Sequence, residues 1–509
     1  METESQKNKR IAKNTLALYL RMFIILLVGL YTSRVILDAL GTSDYGIYNI
    51  VGSFVLMFSL ISGSLSTSVS RFLTFELGKK DNLLSLNHVF SSAVTIHIIL
   101  ALIVLLFAET IGLWFVYNVM VIPTSRFTTA VLVYHLSVFS FIFSILSTPY
   151  NAAIISHEKM KVFAYIGICE AMIRLLIAIL IQYSLNDRLV LYSALMTLSS
   201  IIISFLYIFF SRTNFQECSY KFVYDKGLLL QMSSFAGWSF IGNGSYVLMT
   251  QGVNLLMNVF FGVIVNAARG VASIVDNILT QFVNNFTMAL NPQITKSYAS
   301  DEKNYMFSLI CKGSKYSFFL LFTIALPIFL ETSFILNIWL INIPEYTLLF
   351  IRLTILNALA TVLSNTLVTG LLATGRIKEY QLTIGVASLL VLPISFILYK
   401  LGFPVYISYI VQFIVMIYEL GVRVFYLHKL LNFPFLVYIK DVVYKVILVS
   451  SLSCLLPFFF HFKMVDGYYK FFVVSILCLL CTITSIYYFG VSKKERTLFL
   501  SMIKSRVSL

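Results

Sequence analysis

The chain reads as an all-α integral membrane protein of about fourteen transmembrane helices, grouped six, six and two. Three observations predict this. Of 509 residues, 59% are hydrophobic and only 12% charged, with mean hydropathy +0.89, which is too apolar for an ordinary water-soluble fold. Apolar runs of about 20 residues, the length that crosses the hydrocarbon core, recur from end to end. Lysine and arginine also concentrate in alternate connecting segments, as short loops on the side of insertion do.

Taken in order, six spans fall near 16–37, 46–68, 88–108, 127–149, 162–183 and 189–211. A polar stretch at 212–228 separates them from six more near 235–261, 266–290, 314–335, 347–371, 380–399 and 403–424. A basic stretch precedes a last pair near 442–460 and 469–489. The expected domains are therefore lobes at 1–211 and 229–430, a linker at 212–228, and a helix pair with a basic tail at 431–509.

With the N-terminus in the cytoplasm, 27 of the 37 basic residues fall in inner segments. Six, Arg34, Arg126, Arg188, Lys400, Lys463 and Lys470, fall outside. Adding or removing one span inverts the bias downstream, so the count supports an even number of spans with both termini inside. The segment METESQKNKRIAKN is polar and runs straight into a long apolar run, so no cleavable signal is expected.

The stretch 33–81 joins two apolar segments through a turn at Leu40, Gly41, Thr42, Ser43, Asp44, Tyr45 and Gly46. It recurs 221 residues later without a gap, Phe261 and Gly262 falling on Leu40 and Gly41, and Pro292 on Arg71. Paired halves with matching hairpins are a common transporter plan, with the substrate site between them.

The net charge of +15 is a topology signal, because the basic residues are scattered and form no domain suited to nucleic acid. Cys478 and Cys481 have CxxC spacing inside an apolar run and read as packing residues, and no metal set or cofactor motif is expected. No GxxxxGK[ST] motif is present, which argues against ATP hydrolysis. The outer loops are too short for the catalytic domain of a membrane polymerase or glycosyltransferase, so an enzyme is not expected.

Four arginines remain inside spans: Arg21, Arg174, Arg269 and Arg352. Each costs about 2.5–3.5 kcal/mol at a helix centre on insertion scales, so each is either a functional group facing a cavity or a snorkelling or paired side chain. Glu170 lies one turn before Arg174 and can neutralise it. Asp276 shares a face with Arg269 and either binds a coupling cation or proton or balances the arginine; balance is the favoured reading. Glu419 is the third carboxylate within the spans, so Asp276, Glu170 and Glu419 are the candidates for a coupling ion, whereas His97 and His135 read as packing residues.

Polar residues are dense in the seventh and eighth spans, with Asn243, Gln251 and Asn254 in one and Asn277, Gln281, Asn284 and Asn285 in the other. Guanidinium groups suit phosphate, and amides suit sugar. Together they fit a lipid-linked pyrophosphoryl oligosaccharide, although polar residues also hold helices together. Gly237, Gly242, Gly244 and Gly252 make the seventh span a candidate hinge, with close packing as the alternative.

Arg34 with Leu40, Gly41, Tyr45 and Gly46, the Ser70, Arg71, Phe72 close with its Gly78, Lys79, Lys80, Asp81 tail, and Asn291, Pro292, Gln293 through Ser297 and Tyr298 resemble the oligosaccharide flippases of O-antigen and capsule assembly. These belong to the superfamily that also holds the multidrug and toxic compound extruders and the murein lipid flippases. The resemblance covers roughly residues 10–430. It implies two six-helix lobes in a V, a cationic cavity, alternating access, a bacterial inner-membrane location, and polymerase and chain-length proteins as partners. Arg21 and Arg269 are similar in placement to cavity arginines of the murein flippases. The scarcity of membrane carboxylates departs from a multidrug exporter coupled to H⁺ or Na⁺, which stands as the second reading.

Overall fold

The computed structural model describes residues 4–57, 59–79, 83–118, 122–185, 187–223, 225–340 and 343–492, with Arg496. Lys80 and Asp81 of the second-span tail, and Lys493, Lys494, Lys504 and Arg506 of the basic tail, lie outside the described residues. The described chain is helical: α1 Glu4–Met57, α2 Ser59–Lys79, α3 Leu83–Asn118, α4 Thr124–Ser156, α5 Met160–Gln182, α6 Arg188–Asn214, α7 Lys226–Phe261, α8 Val263–Ala299, α9 Lys303–Leu330, α10 Thr332–Trp339, α11 Thr347–Thr374, α12 Lys378–Lys400, α13 Ile407–Leu431, α14 Phe435–Lys463 and α15 Tyr468–Gly490. No strand occurs among the described residues.

Eleven segments are long and apolar enough to cross a membrane, the first being Arg10–Gly41 of α1, and each falls on an expected span. The expected seventh and eighth spans fall on the long helices α7 and α8. The expected second span comprises the end of α1 and the start of α2 and runs through residue 58, outside the described residues.

The expected seven-residue turn is shorter in the structure. Only Gly41 leaves helical geometry, at φ 74° and ψ 169°, and helix resumes at Thr42. That conformation is essentially open to glycine alone, because any Cβ crowds the backbone. Gly262, its repeat mate, has φ 82° and separates α7 from α8. The repeat inferred from sparse identity therefore coincides with a shared backbone feature 221 residues apart.

By contacts the chain divides into two compact units, residues 1–244 with 295–302, and residues 245–294 with 303–509. In the first unit, Val35, Ile36, Ala39 and Leu40 of α1 pack in one core with Tyr134 and Val138 of α4, Ile177 and Ile181 of α5, and Leu189 and Tyr192 of α6. Hydroxyls bind α6 to α4: Thr197, Ser200, Ser204 and Ser211 donate to the carbonyls of Leu136, Ser140, Phe143 and Tyr150 at 2.9–3.0 Å. In the second unit, Ser314 of α9 donates to the Leu363 carbonyl at 2.8 Å, and Thr366 of α11 donates to that of Ile310 at 2.9 Å. Between apolar helices in lipid, such bonds and close approach take the place of a hydrophobic driving force.

The two left-handed glycines make an asymmetric prediction. A Cβ at Gly41 or Gly262 meets nothing within 4 Å, so any cost of alanine there is conformational. Gly41→Ala and Gly262→Ala should each lose about 1–3 kcal/mol in detergent unfolding. Gly237→Ala, also in open space but in a helix interior, should be neutral or stabilising. Equal effects at all three positions would contradict the backbone assignment.

Candidate functional site

In the first unit, Phe163, Gly167, Glu170 and Arg174 recur at helical spacing along one face of α5. Arg21 of α1 lies against this face, with its guanidinium carbon 4.2 Å from the Phe163 ring centroid and its Nε beside the Gly167 position. Among the described residues that buried Nε has no hydrogen-bond partner, while Glu170 and Tyr207 are within electrostatic reach. Arg174 donates to Glu170 at 2.5 Å, and 52% of its side chain is exposed. A half-exposed ion pair in mid-span needs water rather than hydrocarbon around it.

In the second unit, Arg269 of α8 is buried and turned back toward α7, donating to the Thr250 carbonyl at 3.0 Å, with its guanidinium carbon 5.4 Å from the Tyr409 ring centroid. The expected balance with Asp276 is not a direct pair. Seven residues along a helix is about 10.5 Å, too far for a direct bond. Asp276 makes no hydrogen bond or ion pair among the described residues.

Glu419 has the opposite fate. Its carboxylate accepts from Arg423 at 2.8 Å and from Ser388 at 2.7 Å, and Arg423 also donates to Ser364 at 2.9 Å. Arg423, counted in the sequence as an inner-loop charge, is instead a member of this network in α13. Arg352 donates to the carbonyls of Phe329 and Leu330 at 3.1 and 3.4 Å, which caps the end of α9.

The amides sort by exposure. Asn277, Gln281 and Asn284 stand exposed at helical spacing on one stripe of α8. Asn285 is buried and bonds the Gln281 carbonyl at 2.9 Å. On α7, Gln251 and Asn243 are exposed and Asn254 is half-buried; Asn243 lies 3.5 Å from the Ser64 hydroxyl. α7 continues without a break through Gly237, Gly242, Gly244 and Gly252; Gly252 is a close-packing position, set against Leu392 of α12, Gly242 is buried, and Gly237 and Gly244 have open space beside them. Arg34 is exposed, Tyr45 half-buried, Gly46 helical, and Pro292 lies within α8. Arg71 is surrounded by Phe72, Phe75 and Phe235 at 4.6–5.7 Å. His97 is buried, with Nδ1 2.8 Å from the Ala93 carbonyl, and His135 lies 3.4 Å from Glu109.

Two polar anchors were not singled out from the sequence. Glu158, between α4 and α5, is buried and left-handed at φ 59°; its carboxylate meets Arg10 at 2.8 Å and Lys296 at 2.7 Å, and its carbonyl accepts from Asn14 at 3.2 Å. The available signal was a lone carboxylate in a basic segment. Glu217, in the stretch read as a linker, contacts His157 at 2.5 Å, and His157 stacks on Phe215 at 4.0 Å. Asn87 of α3 donates to the carbonyls of Glu217 and Ser219 at 2.8 Å, so this part of the linker is docked. Burial pushes the Glu217 carboxyl up, but the His157 hydrogen bond, a backbone bond and the electrostatic attraction of His157 outweigh it and hold the carboxyl below its ordinary value.

The fold has known counterparts. No family model and no curated protein matches the sequence. A crystal structure of a MATE point mutant is similar with TM-score 0.74 at 12% identity, over 84% of this chain and 97% of that one. An outward-facing multidrug resistance MATE family transporter of the MOP superfamily gives 0.73 at 12% identity, over 84% and 97%. A MOP superfamily transporter from Pyrococcus furiosus, described as having a binding pocket of reverse polarity, gives 0.68 at 13%, over 83% and 96%. At this identity the likeness establishes the fold alone, an all-helical MATE-like transporter fold.

The His157 and Glu217 contact predicts a pH response. Because the folded carboxyl lies below its unfolded value, the contact stabilises above about pH 4.3, and that contribution is lost as pH falls through the folded value. His157→Ala should flatten this acid limb of thermal stability in detergent. An unchanged slope would remove the contact from the account.

Proposed function

We propose that this protein flips an undecaprenyl-pyrophosphate-linked oligosaccharide repeat unit from the cytoplasmic to the periplasmic leaflet of a bacterial inner membrane, by alternating access, for O-antigen, capsule or exopolysaccharide assembly. The observation that carries the reading is the exposed stripe of Asn277, Gln281 and Asn284 on a membrane helix, amides without the apolar cover that lipid contact demands. Amides suit sugar hydroxyls. Arg174, half-exposed, and Arg21, with its unpartnered Nε, suit the pyrophosphate. Arg269 and Arg352 are held by carbonyls and would join only by giving up those bonds.

The carrier lobes are 1–211 and 229–430, with the helix pair at 431–509 as an addition. Their motion is proposed to bend α7 within its glycine cluster, where the contact units divide it after Gly244, and to use the Pro292 region, where α8 changes unit after Ile294. Two negative charges moving outward across 100 mV, negative inside, gain about 4.6 kcal/mol at ~2.3 per charge, so the potential can drive the step. Polymerase and chain-length proteins would receive the product.

A specific observation favours the second reading, a cation-coupled multidrug exporter. Glu170 and Glu419 are committed to Arg174 and Arg423, whereas Asp276 is free to take H⁺ or Na⁺. The multidrug resistance transporter among the structural neighbours lends it support.

Deletion should leave an oligosaccharide on its lipid carrier at the cytoplasmic face. Arg174→Gln should cut surface polysaccharide about tenfold or more, from loss of one charge-assisted contact, at a normal protein level in the membrane. Arg352→Gln should instead lower the protein level. Normal polysaccharide with Arg174→Gln, together with drug sensitivity in Asp276→Asn, would overturn the flippase reading in favour of the exporter.

A further inference from the structure

The exposed face of α12 and α13 in the second unit holds a feature that the transport reading does not use. A groove of about 450 Å³ runs between α12 and α13, lined by Thr383, Ile417, Tyr418, Gly421, Phe425 and Tyr426. Its floor opens at Gly421, where an added Cβ would meet nothing within 4 Å. From Ile417 to Tyr426 it follows α13 for about 13.5 Å. Its polar end is the Thr383 and Tyr426 hydroxyl pair, 3.0 Å apart. Thr383 is five residues from the start of α12 and Tyr426 five from the end of α13, each about 7.5 Å inside. That is the depth at which headgroups give way to hydrocarbon.

Beyond the hydroxyls the rim is basic. Among the described residues Arg376, Lys378 and Lys429 are exposed there with one carboxylate, Glu379, which Lys429 contacts at 2.8 Å. The groove is thus apolar along its length, hydroxylated at the interfacial level and net positive at the mouth. We propose that it is a binding site for an anionic phospholipid, one acyl chain lying over Gly421, the ester region at Thr383 and Tyr426, and the phosphate at Arg376 and Lys378. The Tyr426 ring lies 6.2 Å from that of Tyr380, whose hydroxyl accepts from Arg423 at 3.4 Å, so the lipid sits beside the buried Glu419 network and steadies it.

The test uses the purified full chain, phosphatidylglycerol and phosphatidylcholine of the same acyl composition, and native mass spectrometry with thermal unfolding in detergent. The wild type should retain one phosphatidylglycerol about tenfold or more over phosphatidylcholine, as expected for two net positive charges at the surface, and be stabilised by it. Gly421→Leu puts a side chain into the groove from a position where the Cβ meets nothing within 4 Å, and should lose that lipid while remaining folded. The double variant Arg376→Gln, Lys378→Gln should keep a lipid but lose the headgroup preference. Equal retention of both lipids by the wild type, unchanged in Gly421→Leu, is the signature of annular lipid only and overturns the proposal. Because the readout is binding, it stands or falls independently of which substrate is transported.

Discussion

In a hydrocarbon layer a polar group must find its partner inside the protein or face enclosed water, and that constraint accounts for where this chain puts its charges. Glu419 and Arg423 satisfy each other and two serines. Arg352 and Arg269 are absorbed by backbone carbonyls, and the hydroxyls of α6 by α4. What is left over is informative: the open Glu170 and Arg174 pair, Asp276 with no partner among the described residues, and the amide stripe of α8. These residues have no structural commitment equal to the cost of placing them in a membrane helix.

Much of the fold was legible because membrane physics leaves a coarse, repeated signal. Span length and apolar composition located the helices, and the Gly41 and Gly262 register fell on two glycine-only breaks. The site was less legible, since a side chain's partner depends on packing that periodicity does not encode. Arg269 and Asp276 share a face in projection but are two turns apart, and Arg423 looks like a rim charge until α11 and α12 supply Ser364 and Ser388. Glu158 gathers Arg10 and Lys296 from segments far apart in the chain, a convergence no local motif announces.

The glycines of α7 show how one composition carries two meanings. The helix is unbroken at these positions, and Gly252 is occupied by close packing against Leu392. Yet Gly237 and Gly244 stand in open space, and the contact units divide the helix after Gly244. A helix that is weak where one compact unit gives way to another can be straight in one state and bent in another, at the small cost glycine imposes.

The central claim is that the α8 amide stripe is wet. Single cysteines at Asn277 and Gln281, in a chain cleared of its native cysteines, can be reacted with a water-soluble thiol reagent in intact membranes, with a cysteine at exposed Ile476 of α15 as the lipid-facing reference. The account predicts labelling at both α8 positions and little at Ile476. Rates at Asn277 and Gln281 no faster than at Ile476 would place the stripe in lipid and contradict it.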